Sequence, residues 1–251
     1  MSNVIEKFFR DFLRIFLPEL EAIVDLNQEY DFLDKELQKI EVPIKKGKKF
    51  VDKLVKIYLK NGEEKWILLH VEIQGQDGEN FDERMFIYFY RLFDKYNVKI
   101  VALGVITYPT NDTFEYHYQF INTEVIYRYN VAKIEEMSEE YLLKSDNSFA
   151  LVCLAVKYSN KSKNDKGLRF KFKRDLVKLM YELGRNRKEV VALFEFIDGM
   201  LRLNDLELEQ KITETIEKIE EVKCMPYVTS VEEVGIEKGK KEGRKEGRKR
   251  W

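Results

Sequence analysis

The sequence predicts an α/β domain followed by a helical lobe, and three patterns carry that prediction. From Phe50 to Gln74 apolar and polar residues alternate with a period of two around Asn61-Gly62, as in a β-hairpin. Phe81 to Tyr96 has helical periodicity, and Val98 to Ile106 is nearly continuous in apolar residues, the pattern of a buried strand reached by a helical crossover. From Ser138 to Cys224 the periodicity is helical throughout. A chain of 251 residues has room for one moderate α/β domain and a helical extension. The expected divisions are 1–135 for the α/β domain, 136–230 for the helical lobe and 231–251 for a tail.

Between Ser2 and Asp25, Phe8, Phe9, Phe12, Ile15, Phe16, Leu20 and Ile23 recur at helical spacing with Pro18 as an interruption, which predicts one or two covering helices. Phe32 to Pro43 mixes acids with apolar residues and is expected to supply the first strand. In the hairpin, Val51, Val55, Ile57 and Leu59 share one face of the first strand, which puts Asp52 on the other. In the second strand Ile67, Leu69, Val71 and Ile73 form the apolar face, and His70, Glu72 and Gln74 fall opposite. A two-residue turn at Asn61-Gly62 would mismatch the two apolar faces. A three-residue loop, or one extra bulge, restores the match and brings Asp52 opposite His70 or Glu72.

Phe114 to Ile134 alternates aromatic and polar residues and predicts edge strands or a hairpin, whose tyrosines either fill a half-buried strand face or stack on unpaired bases. In the lobe, helices are expected over 149–156, 168–183, 188–201 and 206–222. The tail repeats glycine at 235, 239, 243 and 247 among Glu, Lys and Arg. Each glycine costs about 1 kcal/mol relative to alanine in a helix and no apolar face compensates, so an isolated tail is expected to be disordered. In an assembly the glycine stripe or the lobe could join copies of the chain.

Composition narrows the chemistry. Charged residues make up 35% of the chain but sum to a net charge of −1, so no global basic field draws it to nucleic acid and any such surface must be local. The apolar runs are too short to span a bilayer and the N-terminus lacks the succession of a secretory leader, so a soluble, cytoplasmic protein is expected. Cys153 and Cys224 stand alone, as do the two histidines, which argues against zinc and disulfides. No phosphate-cradling glycine loop and no Cys-His pairing is present.

Asp52 and Glu72 on one polar sheet face, with no cation evident to neutralise them, are suited to a hard divalent metal. An Asp on one strand followed by Glu-x-Gln on the next, then FDERMFIYFYRLFDKY and VKIVALGVIT, resembles the Rpn family of recombination-promoting nucleases, transposase-related members of the PD-(D/E)XK superfamily. The resemblance extends to FLDKELQKI, SDNSFALVCLAV and YVTSVEEVGIEKGKKEGRKEG, and so covers most of the chain.

The resemblance implies a restriction-endonuclease-like mixed sheet flanked by helices, and magnesium-dependent endonucleolytic cleavage of DNA in recombination, mobile elements or defence. It implies that Asp52 and Glu72 bind Mg2+, with the backbone carbonyl of Ile73 as a further ligand, and that Gln74 positions the attacking water or a phosphate oxygen. The superfamily carries lysine where this chain has Gln74. Asp34 or Glu36 could supply a third acid. Arg84, Tyr88 and Arg91 fall on one face of the following helix, where they would either meet DNA or, for Arg84, pair with a carboxylate that holds the helix to the sheet. The alternative function is a catalytically weak nuclease-like module that binds DNA or protein.

Overall fold

The computed structural model describes residues 2–37, 51–60, 67–74, 80–224 and 226–228; at 2, 3, 36, 37, 51, 52, 67, 68, 70, 72 and 74 it describes the backbone alone. The chain divides into two compact units, Met1–Leu142 and Leu143–Trp251. The division falls later than the expected one after residue 135, and a short helix straddles it.

The first unit opens with three short helices, α1 (Ser2–Lys7), α2 (Phe9–Phe16) and α3 (Pro18–Ile23). Pro18 sits at the start of α3, where its missing N–H costs nothing, so it begins a helix instead of kinking one. Strand β1 (Asp31–Phe32) and the single turn α4 (Asp34–Leu37) follow. The strand expected over Phe32 to Pro43 is thus two residues long on the sheet edge before the chain turns into α4; residues 38–43 lie outside the described part. The turn has a cause: the Asp34 carboxylate accepts from the backbone N–H of Leu54 at 3.3 Å and from the Lys53 ammonium.

The hairpin strands are β2 (Val51–Ile57) and β3 (Ile67–Gln74). Helix α5 (Phe81–Tyr96) crosses to β4 (Ile100–Ile106). Its last turn is closed by Asn97 in the left-handed conformation (φ 49°), with the Asn97 N–H bonded to the carbonyl of Phe93. A separate two-stranded hairpin, β5 (Tyr116–Phe120) and β6 (Thr123–Tyr127), precedes β7 (Asn130–Lys133). The main sheet has the order β1-β2-β3-β4-β7, antiparallel through β3 and parallel from β3 to β7. It is a mixed sheet in an α/β unit.

Both faces of this sheet are covered. Leu69, Val71 and Ile73 are buried on one side, that of Val55 and Ile57. The opposite face is packed by α5: Tyr88 and Leu92 join Leu54, and Phe81 and Met85 join Ala102 and Ile106.

The second unit is helical. Helix α6 (Glu139–Lys144) spans the division, and α7 (Ser148–Lys161), α8 (Lys166–Glu182), α9 (Arg187–Met200) and α10 (Leu206–Lys223) follow. Each of these last four begins at an Asn or Asp whose side chain accepts from the first turn: Asn147, Asp165, Asn186 and Asp205. Helix α7 is buried all round from Ser148 to Tyr158, so FALVCLAV is the axis of this unit. Burial pushes the Cys153 thiol up to about 12. Among the described residues no helix is long and apolar enough to cross a membrane. The glycine-repeat tail lies outside the described residues.

Candidate active site

The register of β2 on β3 makes Asp52 and Glu72 direct Cα partners, with Leu54 opposite His70 one pair further on. Opposed positions in an antiparallel pair share a face and lie about 4.5–5.5 Å apart at Cα. Positions 52, 70, 72 and 74 therefore fall on one side of the sheet, the side that α5 covers, and Val71 and Ile73 fall on the other. The parity is that of an odd-numbered loop about Gly62; the loop residues 61–66 themselves lie outside the described part. Ile73 is paired with Val51 on one side and with Val105 on the other.

Strand β4 continues the row. Glu72 is the register partner of Gly104, and Gln74 of Ile106. Gly104 is constrained by close approach: a Cβ there would stand 3.0 Å from two Phe81 ring carbons and 3.1 Å from the Tyr129 ring. The start of α5 is thus seated beside Glu72, because the row has no side chain at 104.

The α5 residues are distributed unequally. Tyr88 is buried in the core with Leu54 and Leu92, a packing position with no surface to offer a nucleic acid. Arg84 is 4% exposed, and its guanidinium lies 5.4 Å from the Phe81 ring centroid. Arg91 is half-buried and donates to the Tyr90 hydroxyl at 3.3 Å. Of the three residues expected to meet DNA, only Arg91 retains solvent access of any extent.

Asp34 stands on the edge of β2, bonded to the ammonium of Lys53, which is 1% exposed and also bonds Glu6. Burial lowers the Lys53 pKa, and the hydrogen bonds and charges of Asp34 and Glu6 outweigh it, leaving a net raised value. Asp34 is engaged with a cation on the face opposite position 52, so it serves the fold there. The side chain of Glu36 lies outside the described residues. Among the described side chains no three of His, Cys, Asp or Glu gather into a metal site; those of Asp52 and Glu72 are not among them.

A cavity of about 590 Å³ adjoins the start of α5, lined by Phe81, Tyr108 and Phe114 and by the carboxylates of Asp82, Asp112 and Glu115. Burial raises the Asp82 pKa, the hydrogen bond from the Tyr129 hydroxyl lowers it, and Asp112 and Glu115 raise it further. Glu115 is bridged to Arg128. Sequence reading missed this cavity because its walls come from the start of α5, the loop after β4 and the first residues of β5, which no local pattern joins.

Comparison with family models, with curated proteins and with solved structures finds no match for this chain.

Proposed function

We propose that this protein is a magnesium-dependent DNA endonuclease of the restriction-endonuclease-like kind, with Asp52, Glu72 and Gln74 as its catalytic residues. The observation that carries the proposal is the register pairing of Asp52 with Glu72 on a mixed sheet, with Gln74 two residues further along the same face. Two opposed carboxylate positions are a donor set that fits a hard cation with few protein ligands. When bound, such an ion would lower the pKa of a water and offset charge on the leaving oxygen. The two carboxylates would hold and orient it, with the Ile73 carbonyl as a further donor. Gln74, neutral, would orient the attacking water or donate one hydrogen bond to a phosphate oxygen.

The test is nicking of supercoiled plasmid with and without magnesium. Wild type is expected to nick only with the metal, Asp52→Asn and Glu72→Gln to lose at least about 100-fold, and Gln74→Ala about 10- to 1000-fold, the scale of one positioned catalytic group. Wild-type rates in Asp52→Asn would remove the proposal.

A second reading, a nuclease-like module that binds DNA without cutting it, is favoured by Gln74, whose neutral amide does not supply the positive charge of the lysine that the resembled superfamily carries there. It predicts a gel shift with no change in plasmid topology.

A further inference from the structure

We infer that Arg84 is the internal counter-cation of the carboxylate pair at positions 52 and 72, a positioning residue whose charge an incoming metal ion must displace or share. The inference rests on Asp52 and Glu72 being the metal-binding pair proposed above.

Three observations locate Arg84. Phe81 packs against Gly104, the register partner of Glu72, and so fixes one end of α5 over the row 52, 72, 104. Tyr88 packs against Leu54, the partner of His70, and so fixes the helix over the neighbouring row. Arg84 lies three residues after Phe81 and four before Tyr88, on the same helical stripe, and it is 4% exposed. A guanidinium between those two contacts is held over the part of the sheet face that carries positions 52, 70 and 72.

Energetics then select its role. An arginine, always protonated, is buried only where anionic or other strong acceptors compensate it. The sheet positions beneath it supply two acids, and the lysine beside them in sequence, Lys53, faces the other way into Glu6 and Asp34. Arg84 thus supplies from the helix a positive charge that this chain does not carry at position 74. Buried as it is, it acts on the carboxylates and not on a phosphate arriving from solvent.

The experiment is a double-mutant cycle in the full-length protein, read by thermal melting without metal, beside Mn2+ binding measured by electron paramagnetic resonance. Arg84→Gln combined with Glu72→Gln or with Asp52→Asn is expected to shift Tm by clearly less than the sum of the single shifts. Arg84→Gln with Glu6→Gln should be additive, because Glu6 serves Lys53 on the opposite face. Removing the competing cation is expected to tighten Mn2+ binding about fivefold or more, the low end of ordinary site-to-site coupling, and Arg84→Lys should return it toward wild type.

If Arg84→Gln does not fold, adding Glu72→Gln or Asp52→Asn should restore folding by removing the uncompensated acid; failure of both to restore it overturns the inference. Additive melting shifts for both acids overturn it as well, and they leave the nuclease proposal standing if Mn2+ still binds. Coupled melting with no Mn2+ binding in wild type supports the ion pairing and removes the metal site instead.

Discussion

Lys53 and Asp82 show how much a single buried charge depends on its neighbours. Lys53 has two carboxylates at its ammonium and the Phe32 ring 5.1 Å away, and its pKa ends above the ordinary 10.5. A raised folded value means that its stabilising contribution is whole below about pH 10.5 and fades as pH climbs through the folded value. Lys53→Met is expected to cost roughly 1–3 kcal/mol at pH 7, less than a fully buried pair would because both acids keep some solvent, and to flatten the loss of stability above pH 10.5. Urea melts from pH 7 to 11 check it. At Asp82 the sign is opposite in consequence: burial and two nearby acids raise its pKa above 3.8, so ionisation costs stability as pH rises. Asp82→Asn should therefore be more stable than wild type at pH 7, by less than about 1 kcal/mol, with the gap closing as pH falls below 3.8. A gap unchanged at low pH would show that the carboxylate charge is not its source.

At the scale of elements, the seat of α5 on β4 depends on the bare backbone at 104. Gly104→Ala would press a methyl into two aromatic rings that cannot both swing aside, and is expected to destabilise by about 1–3 kcal/mol. Phe81→Leu in that background should recover part of the loss, because it removes the nearer ring; a Gly104→Ala protein as stable as wild type would show that α5 has room to lift. In the second unit, α9 starts with a reciprocal cap in which Asn186 accepts from the Glu189 N–H and the Glu189 carboxylate accepts from the Asn186 N–H, each at 3.1 Å. Asn186→Ala is expected to cost about 1 kcal/mol. Denaturant melts of the full chain measure both.

For the whole molecule, the proposed metal site and the fold are linked through binding. An ion that binds only the folded chain adds about 2.7 kcal/mol of stability at one hundred times Kd, and so raises Tm with its concentration. Millimolar magnesium is expected to raise the wild-type Tm and to leave that of Asp52→Asn unchanged. Without metal, Asp52→Asn melts near wild type if repulsion from Glu72 and attraction to Arg84 offset each other, and lower if the arginine pairing dominates. Two further thiol measurements belong to this scale. Cys153 is wholly buried and Cys224 exposed, so a thiol reagent should label one cysteine per native chain and two after denaturation.

Periodicity alone determined the hairpin faces, the crossover helix, the buried fourth strand and the helices of the lobe, because each of these is a local repeat of apolar residues read along one stretch of chain. It also put Asp52 opposite His70 or Glu72, since a period of two leaves few registers that keep both apolar faces buried; the structure selects Glu72. The caps that start four lobe helices, Asn147, Asp165, Asn186 and Asp205, came from the structure, since periodicity marks the body of a helix and not the residue that begins it. Only the tertiary structure decided which acids are engaged and which cations are near them. Asp34 is bound to Lys53 across 19 positions of sequence, and Arg84 is carried over the sheet by contacts at Phe81 and Tyr88. Charge pairing across elements leaves no period in the sequence, because it depends on which helix covers which face, and that is settled by packing.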